Sequence, residues 1–174
     1  MYKRQQADML DAQSTKETEM TSRFANYPSL RGKTVFITGG ASGIGAELVT
    51  AFAEQGAQVG FVDMDITGSE ALLAKLDGTH SFAPCDLRDI AALKAAFADL
   101  ERKLGPAQVL VNNAARDDRH DWRSVTPEYW DERQNNNLRH MFFAIQAVAD
   151  GMIAAGGGSI INMGSNSWWE AGGG

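Results

Sequence analysis

The run Lys33-Thr34-Val35-Phe36-Ile37-Thr38 leads straight into Gly39-Gly40-Ala41-Ser42-Gly43-Ile44-Gly45, and this junction decides the fold. Lys33 to Thr38 has the composition of a buried strand, and Ile44 to Gln55 that of a helix. A glycine-rich turn between strand and helix is the context a dinucleotide loop requires. Gly39 turns sharply, Gly43 lets backbone approach a pyrophosphate, and Gly45 lets the helix pack on the strand. Amides at the helix N-terminus then face the phosphates. The glycines fall as G-x-x-x-G-x-G, not as the general G-x-G-x-x-G, and an ordinary strand-to-helix turn is the alternative.

Outward from the loop the pattern repeats. Strands are expected over Ala57 to Asp63, around His80 to Cys85, over Gln108 to Asn112 and over Ser159 to Met163. Helices are expected over Gly68 to Leu76, over Ile90 to Leu104, and as one long or broken helix from Pro127 to Ala155. Strands alternating with helices imply right-handed crossovers and a parallel sheet covered on both faces. The expectation is α/β, a doubly wound (Rossmann) parallel sheet over 28–174 that ends after its fifth strand. Residues 1–27 are polar and mixed in charge, and read as a flexible N-terminal tail without the apolar core of a secretory signal.

The 174 residues are 44% hydrophobic and 22% charged, enough for one domain with a sizeable core. A formal charge of -6 argues against a nucleic-acid partner, and no apolar run approaches the roughly 20 residues that cross a membrane. The single cysteine, Cys85, favours a cytoplasmic location. His80, His120 and His140 show no metal-ligand spacing, so no metal is expected.

Asp63 ends the second strand roughly 20 residues beyond the loop, where an acid hydrogen-bonds an adenosine ribose and repels a 2′-phosphate. Neither Ser42 nor Met64 supplies a base to receive that phosphate, so NAD is favoured over NADP. A strand-end turn residue is the plainer reading of Asp63, and Asp65 competes for the ribose. Asp117 to His120 reads either as a solvated loop or as a contact for a hydroxyl-rich substrate. Trp168 and Trp169 suit either the wall of a sugar site or a core cover. The stripe Met141, Phe142, Ile145, Val148 and Met152 reads as core or subunit packing.

The loop Thr38 to Gly45, Asp86, Asn112-Asn113-Ala114-Ala115, Asn137 and Ser165 together resemble the short-chain dehydrogenase/reductases, from about Leu30 to the chain end. Tyr27 to Leu30, Asp117 to His120, Tyr129 to Arg133, Asn137 to Met141 and Gly164-Ser165 resemble in particular the NAD-dependent D-xylose (sugar) 1-dehydrogenase group. The resemblance implies that Gly39, Ser42, Gly43, Ile44, Gly45 and Asp63 line the cofactor's phosphates and ribose. It places Asp86 on the adenine amino group with Leu87 beside it, and Asn113 and Ala114 along the nicotinamide side. Ala115 departs from the family's usual Gly, and the asparagine pair also reads as a clip between strands.

By the same resemblance Ser165 stabilises charge on the substrate oxygen and Asn137 holds a water in the proton path. The Tyr-x-x-x-Lys acid/base pair is expected after Ser165 and is not reached before Gly174, so a C-terminally incomplete, inactive piece is expected. The implied function is NAD-linked hydride removal from an alcohol or sugar hemiacetal, an aldose giving its lactone, by a homo-tetramer or dimer. A carbonyl or 3-oxoacyl reductase and a non-catalytic dinucleotide binder stand as alternatives. A methyltransferase on a similar sheet is disfavoured by Asn112-Asn113.

Overall fold

In the computed structural model, which describes residues 25–166, β1 (Thr34–Thr38) is buried along its whole length. Its successive side chains part to opposite faces of the sheet, as pleating demands. Val35 and Ile37 join an apolar cluster with Val49, Val59, Phe61 and Val111, backed by Leu48, Phe52 and Leu72. Phe36 joins the other cluster, with Leu93, Phe97, Leu100, Leu110, Val148 and Met152. Phe36 and Phe97 meet edge to face at 5.5 Å, a geometry worth about 0.5–1.5 kcal/mol beyond area burial.

The remaining elements are α1 (Gly43–Glu54), β2 (Gln58–Asp63), α2 (Ile66–Leu73), β3 (Ser81–Pro84), α3 (Ile90–Leu104) and β4 (Val109–Asn112). After a short 3-10 turn (Trp122–Ser124) come α4 (Pro127–Gln134), a π turn (Asn135–Arg139), α5 (His140–Ala154) and β5 (Ser159–Asn162). All pairings are parallel, in the order β3-β2-β1-β4-β5. The doubly wound parallel sheet expected from the alternating pattern is therefore present.

Element ends differ from the sequence reading where side chains intervene. α2 starts two residues before Gly68, because the Asp65 carboxylate accepts the Gly68 amide at 2.9 Å. β3 starts after His80, whose Nδ1 accepts the Val59 amide (3.1 Å) while Nε2–H reaches the Asp77 carbonyl (2.8 Å). That imidazole joins β2 to the turn before β3. α3 matches its expected span: Asp89 caps the Ala91 and Ala92 amides, and Gly105 ends it at φ +84°. The stretch from Pro127 is one helical run widened by the π turn. Of its apolar stripe, Val148 and Met152 are core, Met141 and Ile145 are half-buried, and Phe142 is exposed.

The tail expected over 1–27 lies outside the described residues except for 25–27. There the Gln55 side chain accepts the Tyr27 amide and donates to the Ala25 carbonyl. β5 is an edge strand with Ile160 and Ile161 exposed. Among the described residues no helix is long and apolar enough to cross a membrane.

Candidate functional site

The strand order reverses between β1 and β4, and a crevice opens at that point outside the carboxyl ends of the strands. It holds about 500 Å³ and is lined by the loop residues Gly39, Ser42, Ile44 and Gly45, by Asp63, Met64, Cys85 and Leu87 after β2 and β3, and by Asn113 to Arg116 after β4. Asn136 of the π turn completes the wall. Eight of the sequence-predicted residues meet here: Gly39, Ser42, Ile44, Gly45, Asp63, Leu87, Asn113 and Ala114. Gly43, Asp86, Asn137 and Ser165 do not line it.

The loop is shaped by what its glycines lack. Gly39 has φ +69°, and a Cβ there would stand 2.9 Å from the Ala114 Cα. A Cβ on Gly45 would overlap the Gly39 carbonyl oxygen and crowd the Asn113 amide nitrogen at 2.8 Å. Gly45 thus lets α1 pack on the turn leaving β1, more than on the strand itself. Gly43, at φ +53°, has open space around its missing Cβ, so its glycine serves backbone conformation. Asp65, Asp89 and Thr126 cap α2, α3 and α4, whereas Ser42 makes no side-chain cap bond at the start of α1. Its first amides are left for a ligand, and an anion suits them best.

Asp63 does two local jobs at the crevice rim. One carboxylate oxygen accepts the Ala41 amide at 2.9 Å and the other the Asp65 amide at 3.0 Å, so the end of β2 is tied to the glycine loop. Each oxygen keeps acceptor capacity. Asp65 caps α2 through one carboxylate oxygen and does not line the crevice. The Asp86 carboxylate is gripped by the Arg88 guanidinium (2.7 to 3.1 Å) and backbone amide, which hold its pKa below the usual carboxylate range. Leu87 and Cys85 present the apolar surface on that side. Burial, then the nearby Asp86 and Asp89 charges, push the Cys85 thiol up to about 11, which makes it a packing group and not a nucleophile.

The asparagines behave as the clips their sequence context suggested. Asn113 donates to the Thr38 and Gly39 carbonyls (both 3.1 Å), and the Thr38 hydroxyl accepts the Asn113 and Ala114 amides. Asn112, fully buried, donates to Asn162 across β4 and β5 at 2.8 Å. Asn137 faces the loop after β4: its Oδ1 accepts the Arg116 amide (2.8 Å) and its Nδ2 donates to the Arg116 carbonyl (3.0 Å). Both ends of that carboxamide are spent holding one residue of the crevice wall. Ser165 follows β5 by three residues and is exposed. Trp168 and Trp169 lie outside the described residues.

Met64, Cys85, Ala115, Arg116 and Asn136 are wall residues that sequence reading did not assign to the site. The signal for the first four was position: each stands beside a strand's carboxyl end, where α/β sheets bind ligands. Asn136 had no such signal, because the π turn that brings it in is invisible to a helical pattern. Among the described residues no group of three His, Cys, Asp or Glu side chains is placed to hold a metal ion.

The crevice fits a dinucleotide: a glycine floor where a Cβ has no room, an uncapped helix N-terminus, a rim carboxylate and an apolar flank at Cys85 and Leu87. The sequence profile of the short chain dehydrogenase family matches residues 33–170. The chain is similar to the D-xylose 1-dehydrogenase of Caulobacter vibrioides, 54% identical over 147 residues, which is 83% of this chain and 58% of that protein. It is 51% identical over 150 residues to a probable galactose dehydrogenase, GalD, of Rhizobium meliloti, covering 84% and 59%. A solved short-chain dehydrogenase/reductase of Serratia marcescens superposes with a TM-score of 0.75 at 32% identity, covering 81% of this chain and 58% of that one. The chain thus spans somewhat over half the length of these relatives. With the profile covering most of its length, this chain belongs to the short-chain dehydrogenase family of oxidoreductases.

Proposed function

We propose that the protein is an NAD-dependent sugar dehydrogenase that oxidises the hemiacetal carbon of an aldose to the lactone. The observation that carries the cofactor choice is the Asp63 carboxylate on the rim of the crevice, with Met64 next to it, while the basic side chain that lines the crevice, Arg116 after β4, is paired with Asp118 and Glu132. An acid there accepts hydrogen bonds from the adenosine ribose hydroxyls and repels a 2′-phosphate. The sugar assignment is supported by relatives named for D-xylose, galactose and D-threitol.

NAD, when bound, supplies the acceptor for the hydride leaving the anomeric carbon. This chain's own residues bind and orient the reactants, and the base that takes the hydroxyl proton is expected in a Tyr-x-x-x-Lys pair after Ser165. The amides of Gly43 to Gly45 and the Ser42 hydroxyl meet the phosphates; Asp63 holds the adenosine ribose; Leu87 and Cys85 flank the adenine with Asp86 at its edge; Asn113 and Ala114 hold the wall after β4. Ser165 donates to the substrate oxygen as charge gathers on it. Asn137 belongs to the path by which the hydroxyl proton departs. Its carboxamide being taken by Arg116, the widened backbone of its π turn is the group left to hold a water. Residues 28–174 form the cofactor-binding unit, 1–27 a polar extension, and the working enzyme is a cytoplasmic homo-oligomer.

The test is cofactor affinity in the full-length protein. NADH should bind well ahead of NADPH. Asp63→Ala should narrow that gap by roughly ten- to a hundredfold, the worth of one hydrogen bond to a charged group. Equal affinity for the two cofactors in the unmutated protein overturns the NAD assignment. A substrate panel of D-xylose, D-galactose and a 3-oxoacyl thioester tests the rest, and turnover of the thioester alone selects the reductase alternative.

A further inference from the structure

Between the 3-10 turn and α4 lies a second cleft, of about 320 Å³, which the chemistry above does not use. Its walls are aromatic and its polar groups are fixed. Trp122, Tyr129 and Trp130 line it with His120 and Arg133. The His120 and Tyr129 rings stand 4.9 Å apart, with the Tyr129 hydroxyl 2.9 Å from His120 Nδ1. The Asp118 carbonyl meets the same nitrogen at 3.0 Å, which leaves Nε2 as the one to serve a ligand. Arg133 stacks over the Tyr129 ring at 4.8 Å and is anchored by Asp118 and Glu132. A second guanidinium, Arg123, covers a Trp122 ring at 4.6 Å. The side chains are therefore held in place before any ligand arrives.

The local charge selects the ligand class. Each carboxylate of Asp117 to Asp121 has a guanidinium within 4 Å: Asp117 with Arg119 (3.8 Å), Asp118 with Arg116 and Arg133 (2.6 and 3.2 Å), Asp121 with Arg123 (3.4 Å). A balanced set of this kind favours neither a phosphate nor a cation. These paired charges line the adjoining hollow that shares His120 and Trp122 with the cleft, and set a charge-balanced, hydrogen-bonding border beside its flat apolar faces. That combination suits a neutral polyhydroxylated ring, whose C–H faces pack on aromatic rings while its hydroxyls meet the border. Ion pairs link the cleft to the dinucleotide crevice: Asp118 pairs with Arg116 of the crevice wall and with Arg133 of the cleft wall.

We propose that this cleft is where the aldose is recognised, its ring against Trp122 and a hydroxyl on His120 Nε2. The proposal rests on the sugar-dehydrogenase reading, and the test separates the two. In the full-length protein, D-xylose binding is measured without NAD by saturation-transfer NMR and calorimetry, and steady-state KM values for D-xylose and NAD are measured in parallel. Trp122→Ala and His120→Ala should each raise the dissociation constant and the KM for D-xylose roughly tenfold while the KM for NAD holds. Trp122→Phe, which keeps a flat ring, should restore most of the loss. Aldose oxidation with unchanged sugar affinity and KM in both alanine variants overturns the cleft and leaves the sugar-dehydrogenase reading standing. D-xylose binding that the alanine variants abolish, in a protein that oxidises no aldose, upholds the cleft and overturns that reading.

Discussion

The loops that follow β1 and β4 and the lobe from Arg116 to Gln134 meet at one residue, yet they are built in opposite ways. The first is specified by backbone. Its hydrogen bonds link main-chain atoms to the Asn113 carboxamide, which donates, and the Thr38 hydroxyl, which accepts, and its key positions are glycines whose missing Cβ atoms make room for neighbouring backbone. The second is specified by side chains, through guanidinium–carboxylate pairs and rings stacked with cations. A backbone site tolerates almost no added atom, whereas a side-chain site is altered by exchanging the residues that line it. The cofactor crevice belongs to the first kind and the proposed sugar cleft to the second. A fold that keeps one cofactor while changing substrates needs this division.

The contrast breaks most easily at Gly45. Gly45→Ala places a methyl on the Gly39 carbonyl oxygen, and backbone on both sides has nowhere to move. A cost of about 3 kcal/mol or more is expected, at the upper end for overpacking, or a fall of about 6–12 °C in Tm. NADH affinity should fall with it. Gly43→Ala, which strains only a positive φ in open space, should cost about 1–2 kcal/mol. Thermal unfolding of the two variants side by side checks the order, and equal losses would mean that loop conformation, not close approach, governs both.

Asn137 sharpens the comparison because it joins the two regions. Asn137→Ala removes both hydrogen bonds to the Arg116 backbone, at about 0.5–1.5 kcal/mol each. Amide exchange should speed up at Arg116 and its neighbours while the β1 loop keeps its protection. Uniform loosening of both would show that the regions are one unit.

These regions also mark what the sequence made legible. β1, the glycine loop, α3 and the parallel sheet follow from periodicity and from glycine placement, which are local and backbone-level signals. Asp65 as the α2 cap was available too, but Gly68 masked it by suggesting a later start. The π turn and the fixing of Asn137 by Arg116 were not legible, because they depend on where two chain segments separated by 21 residues meet. The partners of Asp118 and Tyr129 are of the same sort. Ion pairs among many nearby charges are chosen by the fold, and composition alone does not select them.

His140, the first residue of α5, probes the protein interior. It is fully buried, neither ring nitrogen finds a well-aligned partner among the described residues, and burial holds its pKa below the ordinary value of 6.5 against a smaller opposing effect of the Asn136 carbonyl. The folded state therefore keeps His140 neutral to lower pH than the unfolded chain does. Stability should be full above pH 6.5 and fall as the pH drops from there towards the lowered folded value, by at most about 1.4 kcal/mol per pH unit. Urea unfolding from pH 8 to pH 5 measures the slope. His140→Leu should remove this component and match or exceed the parent at pH 7, since two unsatisfied buried nitrogens go with the ring.

The smallest effect is expected at Asp118, and its size is the point. Asp118 joins Arg116 at 2.6 Å and Arg133 at 3.2 Å, and both guanidiniums, Arg116 first, hold its carboxyl below the usual range. A hub with two partners looks structurally central, yet its side chain is 44% exposed, where water and salt screen such pairs. Asp118→Asn should leave Tm almost unchanged at 0.5 M salt and lower it slightly at low ionic strength (approximate salt levels on either side of physiological). The loop is affected more than the fold: with Arg133 and Arg116 released, the guanidinium over Tyr129 loses an anchor and the lobe should sample more conformations. Nitrogen-15 relaxation of residues 116–134 should show that added motion while the β1 loop stays rigid. A large, salt-insensitive loss of Tm would instead place Asp118 among the parts that hold the fold together, and the two regions would then no longer differ in kind.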